Sequence, residues 1–427
     1  MESSPVTSPL PGDLALTLTL SSSPSSPAPA PAPPAQLQLP CRDDGRHLRP
    51  DERGVRLVQL LLVCAAHAAS GDLHGADHCL AHISALSSPS GDTMQRLASH
   101  FAAALAARVL RLRWPGLLSA LGHLGEDPAA VAAGKVAFAR ALPYIPFARA
   151  VATGSVLRAA AAHEGVVHVV GMGWQWDPTL WIALLRGFCL LRRGTLRLRV
   201  TFAGSNEGDL ESLGPALLKE ANLADLSLRV DAIDCPLREL NAGMLKVEAG
   251  ETLAVVSVLG LRQLLAEPGD GDPRGGTAHR FLSELRSLSP ATVVAVEQVE
   301  AETGAAGAGE RFVEGLHYYS SLFDSVDAAA SAGRLSPGER AAVETVLGHE
   351  VEDVMERSER SGRWTGRFVR AGFRPAALWR GALEEAKRVV EAYRADGIGG
   401  YGLAAEPGRA TISWHDRPMY SVSAWQC

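Results

Sequence analysis

Apolar residues recur at helical spacing from Asp51 onward. Val55, Leu57, Val58, Leu60, Leu61, Leu62, Cys64 and Ala65 build one wide apolar face, so a helix begins there. The same period predicts helices over Leu73 to Leu86, Thr93 to Leu112, Val131 to Leu142 and Phe147 to Ala161. Gly71-Asp72, Pro89-Ser90-Gly91-Asp92 and Pro115-Gly116 punctuate them. Beyond residue 161 the pattern changes. Short β-branched runs, Val166 to Val170, Leu196 to Phe202, Leu226 to Val230, Leu253 to Val258 and Thr292 to Glu297, alternate with helical stretches and read as buried strands.

Strands separated by helices imply a parallel sheet covered on both faces. Further helices are expected over Arg311 to Asp324, Glu339 to Arg370 and Ala376 to Tyr393. The chain then closes with Ala410 to Trp414, a turn at His415 to Pro418, and Met419 to Trp425, an antiparallel hairpin on the sheet edge. The fold class predicted is α/β: a Rossmann-like, class I methyltransferase-like core with a parallel sheet, a C-terminal antiparallel hairpin and an α-helical cap. That layout by itself assigns no function.

Residues 1–48 differ from the rest, with Ser/Pro and Ala/Pro runs such as Ser26 to Pro31 and few large apolar side chains. They are expected to be a disordered tail, leaving residues 49–427 as the folded part. The whole chain has 427 residues and 47% hydrophobic content, enough for that part to bury a large core. A formal net charge of -6 argues against coating nucleic acid or anionic membrane by bulk attraction, so any DNA contact must be a local patch. The six cysteines are scattered, with no Cys-x-x-Cys and no Cys/His cluster, which points to reduced thiols and no metal site. Neither a secretory leader nor an apolar run of about 20 residues is visible, so a soluble, non-secreted protein without membrane contact is expected.

Ordered motifs from about residue 48 to 427 resemble the plant GRAS family. Leu48 to Gly54, Leu60 to His67 and Ala69 to Leu73 are similar to the opening of its first leucine-rich region. Val167-His168-Val169-Val170 resembles the VHIID motif, with Leu180-Trp181 at the place of a Gln-Trp pair. Glu251 to Val255 resembles the end of the second leucine-rich region. Arg311-Phe312, Tyr318-Tyr319 and Leu322 to Asp324 resemble the PFYRE region. Trp364, Arg367, Trp414, Arg417-Pro418 and the run to Trp425 match the SAW motif almost residue for residue. The chain departs from the family pattern at Gly171, where the motif ends in aspartate, and at Thr153, Arg158, Val256 and Arg262.

The resemblance implies a mainly helical cap over 49–161 and an α/β core over 162–427, with inserted cap helices at about 309–358. It also implies a plant nuclear regulator of transcription, in gibberellin or developmental signalling. Implied partners are other GRAS and DELLA proteins and zinc-finger transcription factors. Promoter DNA would be reached mainly through those partners, and a homodimer is possible. No tail segment resembles the DELLA motif.

Candidate chemistry is sparse. Gly171-Met172-Gly173 after the first strand is a fragment of a cofactor-binding glycine loop, but the third glycine and the acidic residue at the end of the second strand are missing, and Trp174-Gln175-Trp176 crowds the space. No Gly-x-Ser-x-Gly, His-Glu-x-x-His or P-loop motif occurs, so no catalytic residue and no cofactor is assigned. His168 within an apolar strand reads as a hydrogen-bonded core histidine. Leu57, Leu60 and Leu61, like Leu261, Leu264 and Leu265, fit L-x-x-L-L, which serves either a core or a partner's groove. Leu16, Leu18 and Leu20 in the tail alternate like a plant repression motif and could dock a corepressor. Arg357, Arg360, Arg363, Arg367 and Arg370 would share a face of a continuous helix and meet DNA, or else form local ion pairs. Arg186, Arg192, Arg193, Arg197 and Arg199 form a second basic stretch.

Overall fold

The structure, a computed structural model, describes residues 48–114, 116, 128–161, 165–173, 178–191, 197–204, 207–265, 276–299, 308–356 and 364–427. The alternating leucines of the tail and Trp174 to Trp176 lie outside the described residues, as do Arg192, Arg193, Arg357, Arg360 and Arg363.

Three helices open the described chain, α1 (Pro50–Ser70), α2 (Leu73–Leu86) and α3 (Thr93–Arg113). Local chemistry fixes their ends. Pro50 occupies the first turn of α1, Glu52 accepts from the Arg49 amide at 3.1 Å, and Gly71 closes the helix at φ 77°. Asp72 caps α2 through the Gly75 amide, and Asp92 and Gln95 cap α3 reciprocally. Then come α4 (Pro128–Ala141) and α5 (Tyr144–Ala160).

The sheet follows: β1 (Val166–Gly173), α6 (Pro178–Leu190), β2 (Arg197–Ala203), α7 (Glu207–Leu223), β3 (Ser227–Ile233), β4 (Thr252–Val258), α8 (Gly276–Ser287) and β5 (Thr292–Gln298). After it come α9 (Ala308–Ser331), α10 (Pro337–Glu356), α11 (Trp364–Arg370), β6 (Arg374–Pro375), α12 (Arg380–Ala395), β7 (Tyr401–Glu406), β8 (Arg409–Trp414) and β9 (Arg417–Gln426).

Strand order is β3-β2-β1-β4-β5-β9-β8-β7, parallel through β5 and antiparallel beyond it. The expected C-terminal hairpin is present as β8 and β9. It is extended by β7 on the outer edge and by β6, which also pairs with β9. Glycines at 399, 400 and 402 hid β7, because strand propensity is low where side chains are missing. The helix expected from Ala376 begins at Arg380, since Ala376 instead donates to the Ala424 carbonyl beside β9. The stretch expected as one helix from Glu339 to Arg370 is described as two, α10 and α11.

One sheet face packs on α5 and α6, with α12 lying against α5. The other buries Val170, Met172, Leu253, Val255, Val293 and Ala295 against Phe281 and Leu282 of α8 and Trp364 and Phe368 of α11. Trp425 of β9 stacks on Phe368 at 4.7 Å, 7° from coplanar. Helices α1, α2, α3, α4, α9 and α10 pack together as a bundle.

Candidate functional site: the filled crevice and the joints of the bundle

In an open α/β sheet, ligands bind outside the carboxyl ends of the strands where the order reverses, here between β1 and β4. Gly171 and Gly173 stand at that point. Both are paired residues of β1, opposite Phe202 and Val256 and opposite Val258 respectively, so the glycine loop expected after the strand is the strand's own end. The Trp181 ring of α6 lies over Gly171 and meets Phe202 edge-on at 4.8 Å. A Cβ at Gly171 would come within 2.4 Å of the Trp181 ring. Gly173, at φ 82°, would place one 2.1 Å from the Val258 carbonyl and 2.6 Å from the Gly260 amide. Strand β2 ends in Phe202-Ala203, with no carboxylate for ribose hydroxyls. These residues do not fit a nucleotide-type cofactor such as S-adenosylmethionine. Where its adenosine half would enter, an indole and closely approaching backbone fill the space.

Further along the same edge, Gln298 at the end of β5 donates to Glu350 of α10 at 2.6 Å, and Arg262 faces the same carboxylate at 3.6 Å. Gln298 and Glu350 are both buried. A helix of the bundle is thus tied across the carboxyl end of the sheet by a charge-assisted bond. The SAW residues make the neighbouring ties to α9. Trp414 donates its indole N–H to Asp324 at 2.8 Å, Arg417 pairs with Glu314 at 2.5 Å, and the Tyr318 hydroxyl donates to the Met419 carbonyl at 3.0 Å. Pro418 between them is exposed.

At the opposite edge His168 is buried on β1. Its Nδ1 lies 3.1 Å from Glu251 and its Nε2 2.7 Å from the Thr201 hydroxyl. Arg199 joins the same cluster through Asp231 at 2.7 Å, Glu251 at 3.3 Å and the Lys246 carbonyl at 2.9 Å. Burial, seconded by the Arg199 charge, holds the imidazole below its ordinary proton affinity. With every polar atom of the ring engaged, the cluster clamps β1, β2, β3 and the approach to β4.

The other sequence candidates fall as follows. Leu57, Leu60 and Leu61 are buried on the inner face of α1 and present nothing to a partner, and Leu261, Leu264 and Leu265 are buried as well. Val167 is core, and Phe312 meets Phe101 edge-on at 5.6 Å. Arg311 stands half-buried in the first turns of α9. Arg367 lies 5.4 Å over the Trp364 ring and Arg370 is exposed, both on the separate helix α11. Of the second basic stretch, Arg199 is buried in its cluster, Arg186 pairs with Glu220 at 2.6 Å and Arg197 is exposed. Burial pushes the Cys64 thiol up to about 12, and Cys79 is buried beside it, so neither thiol is chemically active. Among the described residues no group of His, Cys, Asp and Glu is placed to hold a metal, and no helix is long and apolar enough to cross a membrane.

Sequence reasoning missed a second buried cluster. Arg96 of α3 bonds Glu344 of α10 at 2.9 Å and Asp327 of α9 at 2.5 Å, with Arg96 and Glu344 both buried. The available signal was a carboxylate set among Val343, Val346 and Leu347, which marks a buried charge without naming its partner.

A Rossmann-type α/β core joined through its C-terminal strands to a helical bundle defines the class of fold. The GRAS domain family model matches residues 57–426, and the chain belongs to that family. It is 32% identical to Scarecrow-like protein 3 of Arabidopsis thaliana, over 90% of this chain and 91% of that one. It is also 32% identical to the DELLA protein RGL1 of the same plant, over 89% and 71% respectively. Among solved structures, SCL7 of Oryza sativa superposes with a TM-score of 0.70 at 29% identity, covering 87% of this chain and 99% of that one.

Proposed function

We propose that the chain is a nuclear regulator of transcription in gibberellin or developmental signalling that acts by protein contact and catalyses nothing. The carrying observation is the packing of Trp181 on Gly171 and of Gly173 on Gly260. Where the fold would hold a cofactor it holds core, which leaves the outer surface to do the work. Family membership and similarity to Scarecrow-like and DELLA proteins support the regulatory reading. On this reading promoter DNA is reached through a zinc-finger transcription factor, with other GRAS or DELLA proteins as further partners and a second copy as another. A corepressor would meet the leucines at 16, 18 and 20.

The rival is direct DNA binding by Arg367, Arg370 and the arginines at 357, 360 and 363. Titrating the full chain with promoter duplex, with and without a zinc-finger partner, separates the two. Retention on the duplex only with the partner is expected. Tight binding of the chain alone, lost on Arg367→Ala with Arg370→Ala, would replace the proposal. A saturable thermal shift with S-adenosylmethionine would overturn the non-catalytic part.

A further inference from the structure

The sheet ends on two edge strands, and they are built differently. Strand β3 carries Arg229 and Asp231 in mid-strand, paired with each other at 3.1 Å. Charges of this kind keep an edge strand from pairing with another chain. At the opposite edge β7 has no such device. From Gly402 to Ala405 it holds no charge, no proline and no register shift against β8, and Ala404 and Ala405 are exposed.

The hairpin fixes which groups of β7 face outward. Glu406 and Arg409 flank the two-residue turn Pro407-Gly408, with Gly408 at φ 78°, and so form a hydrogen-bonded pair. Alternation along the ladder then turns the N–H and C=O of the even-numbered residues toward β8, and those of Tyr401, Leu403 and Ala405 away from it. The His415 amide, on the Gly400 carbonyl at 2.8 Å, keeps the same alternation. Arg394 of α12 donates Nε to the outward carbonyl of Tyr401 at 2.7 Å, which closes that end of the edge. Leu403 and Ala405 have no backbone partner on that side among the described residues, so two donors and two acceptors stand unpaired.

From this geometry we infer that β7 is a docking edge for a second copy of this chain, the two β7 strands running antiparallel about a two-fold axis at Ala404. The inference rests on the reading above, that the outer surface works by protein contact, and names one such partner and its seat. A two-fold axis through the seam pairs a strand with its own copy antiparallel, as an isologous interface requires. Leu403 then faces Ala405 of the other copy and Ala405 faces Leu403, which exchanges four backbone hydrogen bonds. Ala404 meets its own copy as a non-hydrogen-bonded pair, the closest approach in a ladder, where a methyl group is small enough. Charge selects the same partner. Glu406 is exposed at one end of the open segment, and the Arg394 guanidinium stands at the other, its two terminal nitrogens engaging nothing among the described residues. Reversal brings Glu406 of each copy opposite Gly402 of the other, next to that guanidinium, whereas a parallel strand would set like ends together. An edge this short buries little area, so the dimer is a reversible one.

Sedimentation velocity of the full chain over about 1 to 100 μM, with hydrogen exchange followed at both ends of that range, tests the edge. A monomer–dimer equilibrium is expected, in which the segment 401–406 gains protection from exchange as the dimer forms. Ala404→Glu sets two carboxylates on the axis and should weaken the dimer about tenfold or more. Because Ala404 is exposed, the monomer accommodates the change, as an unaltered circular dichroism spectrum would verify. Glu406→Arg should weaken association as well, and Glu406→Arg combined with Arg394→Glu should recover much of it, a result that misfolding does not give. A wild-type chain that stays monomeric throughout overturns the inference. So does a dimer that Ala404→Glu leaves intact, or one whose segment 401–406 gains no protection, since association would then use another face. None of these results bears on retention of the chain on promoter duplex by a zinc-finger partner, so this inference and the function proposed above fail separately.

Discussion

A histidine in the middle of a buried strand must stay neutral or meet a charge, and His168 has both a carboxylate and a guanidinium within reach. Burial and Arg199 outweigh Glu251, so the folded chain binds this proton less readily than the unfolded chain, whose ordinary value is 6.5. The sign follows by linkage. The contribution to stability is complete above that value and is lost as pH falls through it toward the lower folded one. Between pH 7.5 and 5.5 the urea midpoint of the wild type should therefore drop more than that of His168→Gln. Equal drops would show that this ring does not titrate differently on folding. The histidine was legible in the sequence as a core residue, since it interrupts an apolar strand. Glu251 and Arg199 were not, because they sit 83 and 31 residues along the chain, at the head of β4 and on β2.

Elements were read more reliably than their ends. Strand β1 was expected to stop at Val170, because glycine is a common terminator. In the sheet it continues to Gly173, because β2 and β4 supply partners on both sides. Absence of a side chain at Gly171 is what lets the Trp181 ring approach the strand this closely. Gly171→Ala should cost about 1 to 3 kcal/mol by overpacking, and Trp181→Leu in the same chain should recover much of that, measured by urea denaturation. An additive double mutant would mean that the ring is not the obstruction. The L-x-x-L-L pattern of α1 illustrates the opposite difficulty. Core packing and groove docking ask for the same helical spacing, so only the burial of Leu57, Leu60 and Leu61 decided between them.

At the scale of the molecule, the bundle is held together and joined to the sheet by charged side chains as well as by apolar packing. Arg96 draws α3, α9 and α10 to one point, and Glu350 and Asp324 fasten the same helices to the sheet. Arg96→Ala should lower stability by about 3 to 5 kcal/mol, since Glu344 is left buried with only Arg340, at 3.8 Å, to balance it. Arg96→Met combined with Glu344→Leu should restore most of it, because the pair's own desolvation cost is then also removed. A double variant as unstable as the single one would show that the charge pair contributes net stability of its own.

The sequence by itself determined the opening helices and the five parallel strands, the parallel pairing implied by their alternation with helices, and the motifs that place the chain in its family. Those properties rest on periodicity and on caps spanning a few residues. Tertiary structure alone decided that the end of β1 is plugged and that β7 extends the edge. It also decided which buried charges meet. Arg96 and Glu344 are 248 positions apart. Whether such residues touch depends on how faces of distant elements are brought together, and local spacing carries no information about that.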